Sequence, residues 1–116
     1  MRIAHISWSD FHGGAAKASF NLHRGLLDLD IDSHLFVQKK HSEYKGIYSY
    51  SSLYLRVLTR INPYLDYLWT IPYRRDTNFY FSNGRRSLCS LRSLALRYNP
   101  EILHLHWIGK GCFSIY

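Results

Sequence analysis

The chain has 116 residues, of which 47% are apolar, and a formal net charge of +7. That is enough for one small domain with its own core, and too apolar for a chain disordered throughout. No uninterrupted apolar run is long enough to span a bilayer, and the N-terminus lacks the apolar core of a signal peptide, so the chain reads as cytoplasmic.

Residues 3–7, Ile3 to Ser7, lack clean alternation and read as a buried parallel strand. A helix over 15–29 follows, with Ala15, Ala18, Leu22, Leu26 and Leu29 as its inward stripe and Lys17, Arg24 and Asp28 opposite. Asp30-Ile31-Asp32 is a turn, and Ser33 to Val37 a second strand. Strand, helix and strand make a βαβ unit with a right-handed crossover expected. Residues 38–46 are polar loop, and Gly46 to Tyr50 a short edge strand.

Tyr54, Leu58, Ile61, Leu65 and Leu68 restore helical spacing. Asn62-Pro63 predicts a break there, with Pro63 opening a second short helix that ends at Pro72. Thr77 to Arg86 is irregular. Ser87 caps a further helix with Leu88, Leu91, Leu94 and Tyr98 inward, stopped by Asn99-Pro100. Ile102 to His106 reads as another buried strand, and residues 112–116 as the opening of a further element. The expected class is α/β: an incomplete Rossmann-like parallel sheet flanked by helices, with residues 2–7, 33–37 and 101–106 as parallel neighbours.

Charge is unevenly spread. Residues 1–38 hold three Lys/Arg against four Asp, whereas residues 39–116 hold twelve Lys/Arg against four acidic residues. The basic surplus implies an anionic partner. Leu53 to Arg75 interleaves Tyr, Leu and Trp with Arg56, Arg60, Arg74 and Arg75, which suits either a core-facing helix with a solvated basic side or contact with anionic lipid. No RNP, helix-turn-helix or zinc-finger pattern is present, so nucleic acid is not the expected partner. Cys89 and Cys112 form no C-x-x-C and read as reduced thiols.

Gly13-Gly14 stands where the first strand turns into the first helix. Such a turn bares backbone N–H groups beside the positive end of a helix dipole, which suits a phosphate; it also simply lets a helix start tightly. It is neither G-x-G-x-x-G nor a P-loop. Gln38-Lys39-Lys40 stand where a ribose-binding acid would close the second strand, which argues against a nicotinamide dehydrogenase. Asp10 and His12 lie in the same loop, while His5 inside the strand reads as packed rather than reactive. His104 and His106 share a strand face, but no third ligand is evident, so no metal is expected and His104 reads as a core histidine. His106 and Trp107 sit at the carboxyl end of their strand, where open α/β sheets bind ligands.

Together, Met1 to Ser7, Gly13-Gly14-Ala15-Ala16, Leu22-His23-Arg24-Gly25-Leu26, Asp32-Ser33 and Asn99 to Gly109 resemble the N-terminal domain of retaining glycosyltransferases of the GT-B fold. The likeness is to the bacterial family 4 enzymes that build exopolysaccharide and lipopolysaccharide; about residues 40 to 85 match only loosely. The resemblance implies that residues 1–116 are a truncated acceptor-side domain without its C-terminal donor-binding domain. The parent protein would transfer sugar from a nucleotide-sugar to a glycan or lipid-linked acceptor, without metal or other cofactor, in the cytoplasm or at the inner face of the cell membrane. Gly13 and Gly14 would approach the donor diphosphate, and His106 and Trp107 would border the cleft. The family's important histidine would fall past Tyr116, so no catalytic residue is assigned and the chain alone is expected to be inactive. The competing reading is a small basic nonenzymatic domain that binds a membrane surface or nucleic acid.

Overall fold

The structure, a computed structural model, describes residues 1–49, 52–72 and 91–109. In chain order the elements are β1 (Arg2–Ser9), α1 (Gly14–Asp28), β2 (Asp32–Lys39), β3 (Ile47–Tyr48), α2 (Leu53–Thr70), α3 (Leu91–Leu96) and β4 (Ile102–Leu105). The strands form one all-parallel sheet in the order β3-β2-β1-β4. This is the expected α/β arrangement, with the three anticipated strands as parallel neighbours. The predicted features over 77–90 and 110–116, with Cys89 and Cys112, lie outside the described residues.

The side-chain period of two sorts β1 and β2 between two faces. Ala4, Ile6 and Phe36 pack on Leu91 and Ala95 of α3, with Trp8, Tyr48, Tyr98 and Ile108 around them. Leu35, Val37 and Ile47 point the other way and receive Phe20 of α1. Each fully buried Ile, Leu, Val or Phe contributes roughly 1.5–3 kcal/mol, so these two clusters hold the sheet between its helices. At the amino ends of the strands, Arg2 Nε donates to Asp32 at 3.0 Å and Arg2 Nη1 to the Tyr98 carbonyl at 2.7 Å. That ties β1 to β2 and to the end of α3.

Helix α1 ends in a Schellman motif: Ile31 N–H donates to the Leu26 carbonyl and Asp30 N–H to that of Leu27, with Asp30 left-handed at φ 55°. Its buried stripe differs from the expected one. Ala16, Ser19 and His23 are buried, whereas Leu22 and Leu29 are 40% and 71% exposed. The reason is the sheet face beneath, where β1 and β2 present His5, Ser7 and Ser33 and so favour polar partners. His23 Nε2 donates to the Lys45 carbonyl at 2.9 Å, which leaves Nδ1 to accept from Ser33 Oγ at 2.8 Å.

Two further expectations are corrected. The helix does not break at Pro63; α2 runs through it. Proline lacks the N–H that would bond the carbonyl four residues back, which is Thr59, and Gln38 Nε2 donates to that carbonyl instead at 3.4 Å. β4 is not buried. It lies at the edge of the sheet, with Ile102 45% and Leu105 38% exposed. Among the described residues, no helix is long and apolar enough to cross a membrane.

Candidate functional site

Because the sheet is parallel, β1, β2 and β4 deliver their following loops to one end. The strand order also reverses there. The chain steps from β1 outward through β2 to β3, then returns to place β4 on the other side of β1. Such a switch point opens a crevice outside the carboxyl ends of the two diverging strands, here β1 and β4.

The loop after β1 is built by its own polar groups. Ser9 Oγ accepts from the N–H groups of Phe11 and His12, each at 3.2 Å. The buried Asp10 carboxylate accepts from His41 N–H at 2.9 Å and Ser42 N–H at 2.7 Å, fastening this loop to the one after β2. Asp10 therefore positions the site rather than offering a free carboxylate. His12 is exposed, and its ring meets that of His41 edge-on at 4.6 Å between centroids.

Gly13 has φ 94° and ψ 165°, a conformation essentially confined to glycine. Gly14 has no such constraint, and a Cβ on it would meet nothing within 4 Å. No side chain caps α1 and no acidic residue stands in its first turn. The amide groups at its start, with the positive end of the helix dipole, thus face an open space.

The loop after β4 is anchored by the Trp8 N–H, which donates to the Trp107 carbonyl at 3.2 Å. The Trp107 ring meets the Trp8 ring edge-on at 5.8 Å, and Lys39 Nζ stands 4.7 Å from the Trp8 ring centroid. Trp8 packs on the α3 side of the sheet, and Trp107 meets it there. His106, one residue earlier, turns to the α1 side, where its Nε2 is 3.3 Å from His5 Nδ1.

His104 joins them, its ring 4.2 Å from His106 and 5.4 Å from His5 between centroids. One ring nitrogen from each of the three lies within 4.8 Å of those of the others. Burial, then the neighbouring His106, His104 and His23, pushes the His5 imidazole down from 6.5 to about 4. Burial and His104 lower His106 as well. His104 is exposed, not a core histidine.

No protein-family model matches the chain. Neither does any curated protein or solved structure.

Gly13, Gly14, Asp10, His12, His106 and Trp107 fall at the carboxyl ends of β1 and β4, but in separate groups. Gly13, Gly14, Asp10 and His12 share one loop. Trp107 and His106 point to opposite faces, as successive residues leaving a strand do. Sequence reasoning missed His41, Trp8 and Lys39, and the part played by His5. The Lys39-Lys40 pair closing β2 was the one local signal; the others depend on strand pairing.

Proposed function

We propose that this chain is the acceptor-side, Rossmann-like part of a glycosyltransferase of the GT-B type, which takes a nucleotide-sugar donor and a glycan or lipid-linked acceptor. The observation that carries the reading is the open, uncapped start of α1 at the switch point, reached through a glycine whose conformation only glycine adopts. A diphosphate there would accept hydrogen bonds from backbone N–H groups beside the helix dipole. Trp107 and Trp8 offer flat apolar surface for a sugar or base, and Lys39 a positive charge.

The chain alone provides half of the machinery. It has two glutamates, Glu43 and Glu101, too far apart in sequence for the paired glutamates of a donor-binding domain. Among the described residues, His12, Gly13, Gly14 and Trp107 at this crevice are exposed, and tight sites bury most of their ligand. The expected result is weak nucleotide binding and no sugar transfer by these residues alone.

Amide shifts of the isotope-labelled chain, titrated with nucleoside diphosphates and with the unphosphorylated nucleosides, test the reading. Gly13, Gly14 and Ala15 should move with the diphosphates only, and Gly14→Val should abolish the movement. Shifts confined to other regions, or turnover of nucleotide-sugars by the purified chain, would refute it.

A second reading, peripheral contact with an anionic membrane, has its own observation. Helix α2 leaves Tyr54, Val57, Ile61, Tyr64, Leu68 and Trp69 exposed beside Arg56 and Arg60. Large apolar side chains interleaved with arginine suit the boundary between headgroups and acyl chains.

A further inference from the structure

We propose that His5, His104 and His106 form a binding site for a divalent late transition-metal ion of the zinc class, with one coordination position open toward solvent. The proposal is independent of sugar transfer and rests on how β1 and β4 pair.

His5 and His104 are direct partners in the parallel register of β1 and β4. His106 follows His104 by two residues, so it rises from the same sheet face. Three imidazoles from two adjacent strands thereby converge, although nearly the whole chain separates His5 from the other two.

The spacing fits a metal. With metal–nitrogen bonds of about 2.0–2.1 Å in tetrahedral geometry, ligand nitrogens stand about 3.3 Å apart. His5 Nδ1 and His106 Nε2 are already at 3.3 Å. One ring nitrogen from each of the three histidines lies within 4.8 Å of those of the other two. His104 is exposed and His106 half-buried, so rotation of their side chains can close the remaining gap.

Packing stability does not explain the cluster. His5 is buried, and its Nε2 has no hydrogen-bond partner. An aliphatic residue would fill this position without stranding a polar atom. His23, the next histidine along, is already committed to Ser33 and Lys45 and is not a ligand.

The donor set selects the ion. Three neutral imidazoles without a carboxylate suit zinc, copper, nickel or cobalt rather than magnesium or calcium. His104 lies on β4, the edge strand among the described residues, His106 directly follows it, and His104 is exposed, so a fourth position would be reached from solvent. An ion held there would clip β4 to β1 and bind one water or one outside ligand.

Cobalt(II) titration of the chain, carrying no histidine tag, in metal-free buffer tests the proposal. The wild type should show the visible band of tetrahedral cobalt saturating at one equivalent, displaced by zinc, and zinc should raise its Tm. His104→Ala and His106→Ala, with wild-type circular dichroism, should each weaken binding by at least about tenfold, since even loss of a group behind a ligand costs that much. His12→Ala should leave binding unchanged, because the exposed His12–His41 pair is the competing histidine site. Wild-type cobalt affinity in both His104→Ala and His106→Ala, or loss of binding in His12→Ala instead, would overturn the assignment.

Discussion

Gly13 and Gly14 are neighbours, yet the same substitution should act on them in opposite directions. A Cβ on Gly13 would meet nothing within 4 Å, so the cost of Gly13→Ala is torsional alone. The φ of 94° and ψ of 165° lie in a region that costs a side-chain-bearing residue about 1–3 kcal/mol. Gly14 has no positive φ, begins α1 and also has open space around it. Gly14→Ala should therefore stabilise the chain by about 0.5–1 kcal/mol, because alanine loses less backbone freedom on entering a helix. The two variants should differ by about 1.5–4 kcal/mol, read as opposite shifts of the urea midpoint at unchanged slope. Equal destabilisation by both would refute the reasoning, since it would mean that packing, not backbone angle, requires the pair. The consequence reaches function. If neither conformation nor packing demands a glycine at 14, what the missing side chain leaves is room, and room before an uncapped helix start suits a ligand.

Three further outcomes are expected. Gly46, at φ 75°, would place a Cβ 2.9 Å from His23 Cε1 and 3.1 Å from the Ser33 carbonyl oxygen, so Gly46→Ala and His23→Ala should each cost about 2–4 kcal/mol, and the double variant less than their sum, because removing the imidazole removes the closest contact and leaves the Ser33 contact and the backbone strain; additive urea-denaturation energies would count against this knot. Burial lowers the His23 pKa below 6.5, so the unfolded state binds more protons below that value and the contribution of His23 is complete above it and lost as pH falls. The stability difference between wild type and His23→Gln should accordingly narrow from about pH 7 to about pH 5, and a difference constant with pH would contradict the burial argument. Helix α2 should carry the chain onto anionic vesicles in a salt-dependent way, each basic residue contributing roughly 1 kcal/mol, with Arg56→Gln/Arg60→Gln reducing sedimentation; equal sedimentation with neutral vesicles would dispose of the contact. The predicted participants Arg74 and Arg75 lie outside the described residues.

The β1–α1–β2 unit was legible because its signals are local. A short apolar run, a glycine pair, a helical repeat and an aspartate-bearing turn follow one another within the reach of backbone propensity. The inward face of α1 was not, since an apolar stripe identifies the buried side only when the surface beneath is apolar. Here that surface includes His5, Ser7 and Ser33, and α1 turns Ser19 and His23 toward it. Pro63 misled for a related reason: the expected break follows from a lost helix bond, and the compensation comes from Gln38, distant in sequence. The exposure of β4 was hidden because an apolar run reads the same in a central strand and at a sheet edge. The glycine turn, Asp10, His12, His106 and Trp107 were placed correctly at the carboxyl ends of the strands; the roles of Asp10 as a fastener and of His5 as a neighbour of His106 required the pairing.

That pairing links the two proposed sites. When the chain returns to set β4 beside β1, the register joins His5 to His104 and Ile6 to Leu105. From that point alternation forces His106 onto the α1 face and Trp107 onto the other. One strand end thereby supplies the imidazole that completes the histidine cluster and the indole that meets Trp8. A slip of one residue in the register would exchange the faces, directing Trp107 toward His5 and His106 toward Trp8. The two sites therefore depend on a single pairing. An ion bound by the histidines would hold that register, and with it the position of Trp107 at the mouth of the crevice.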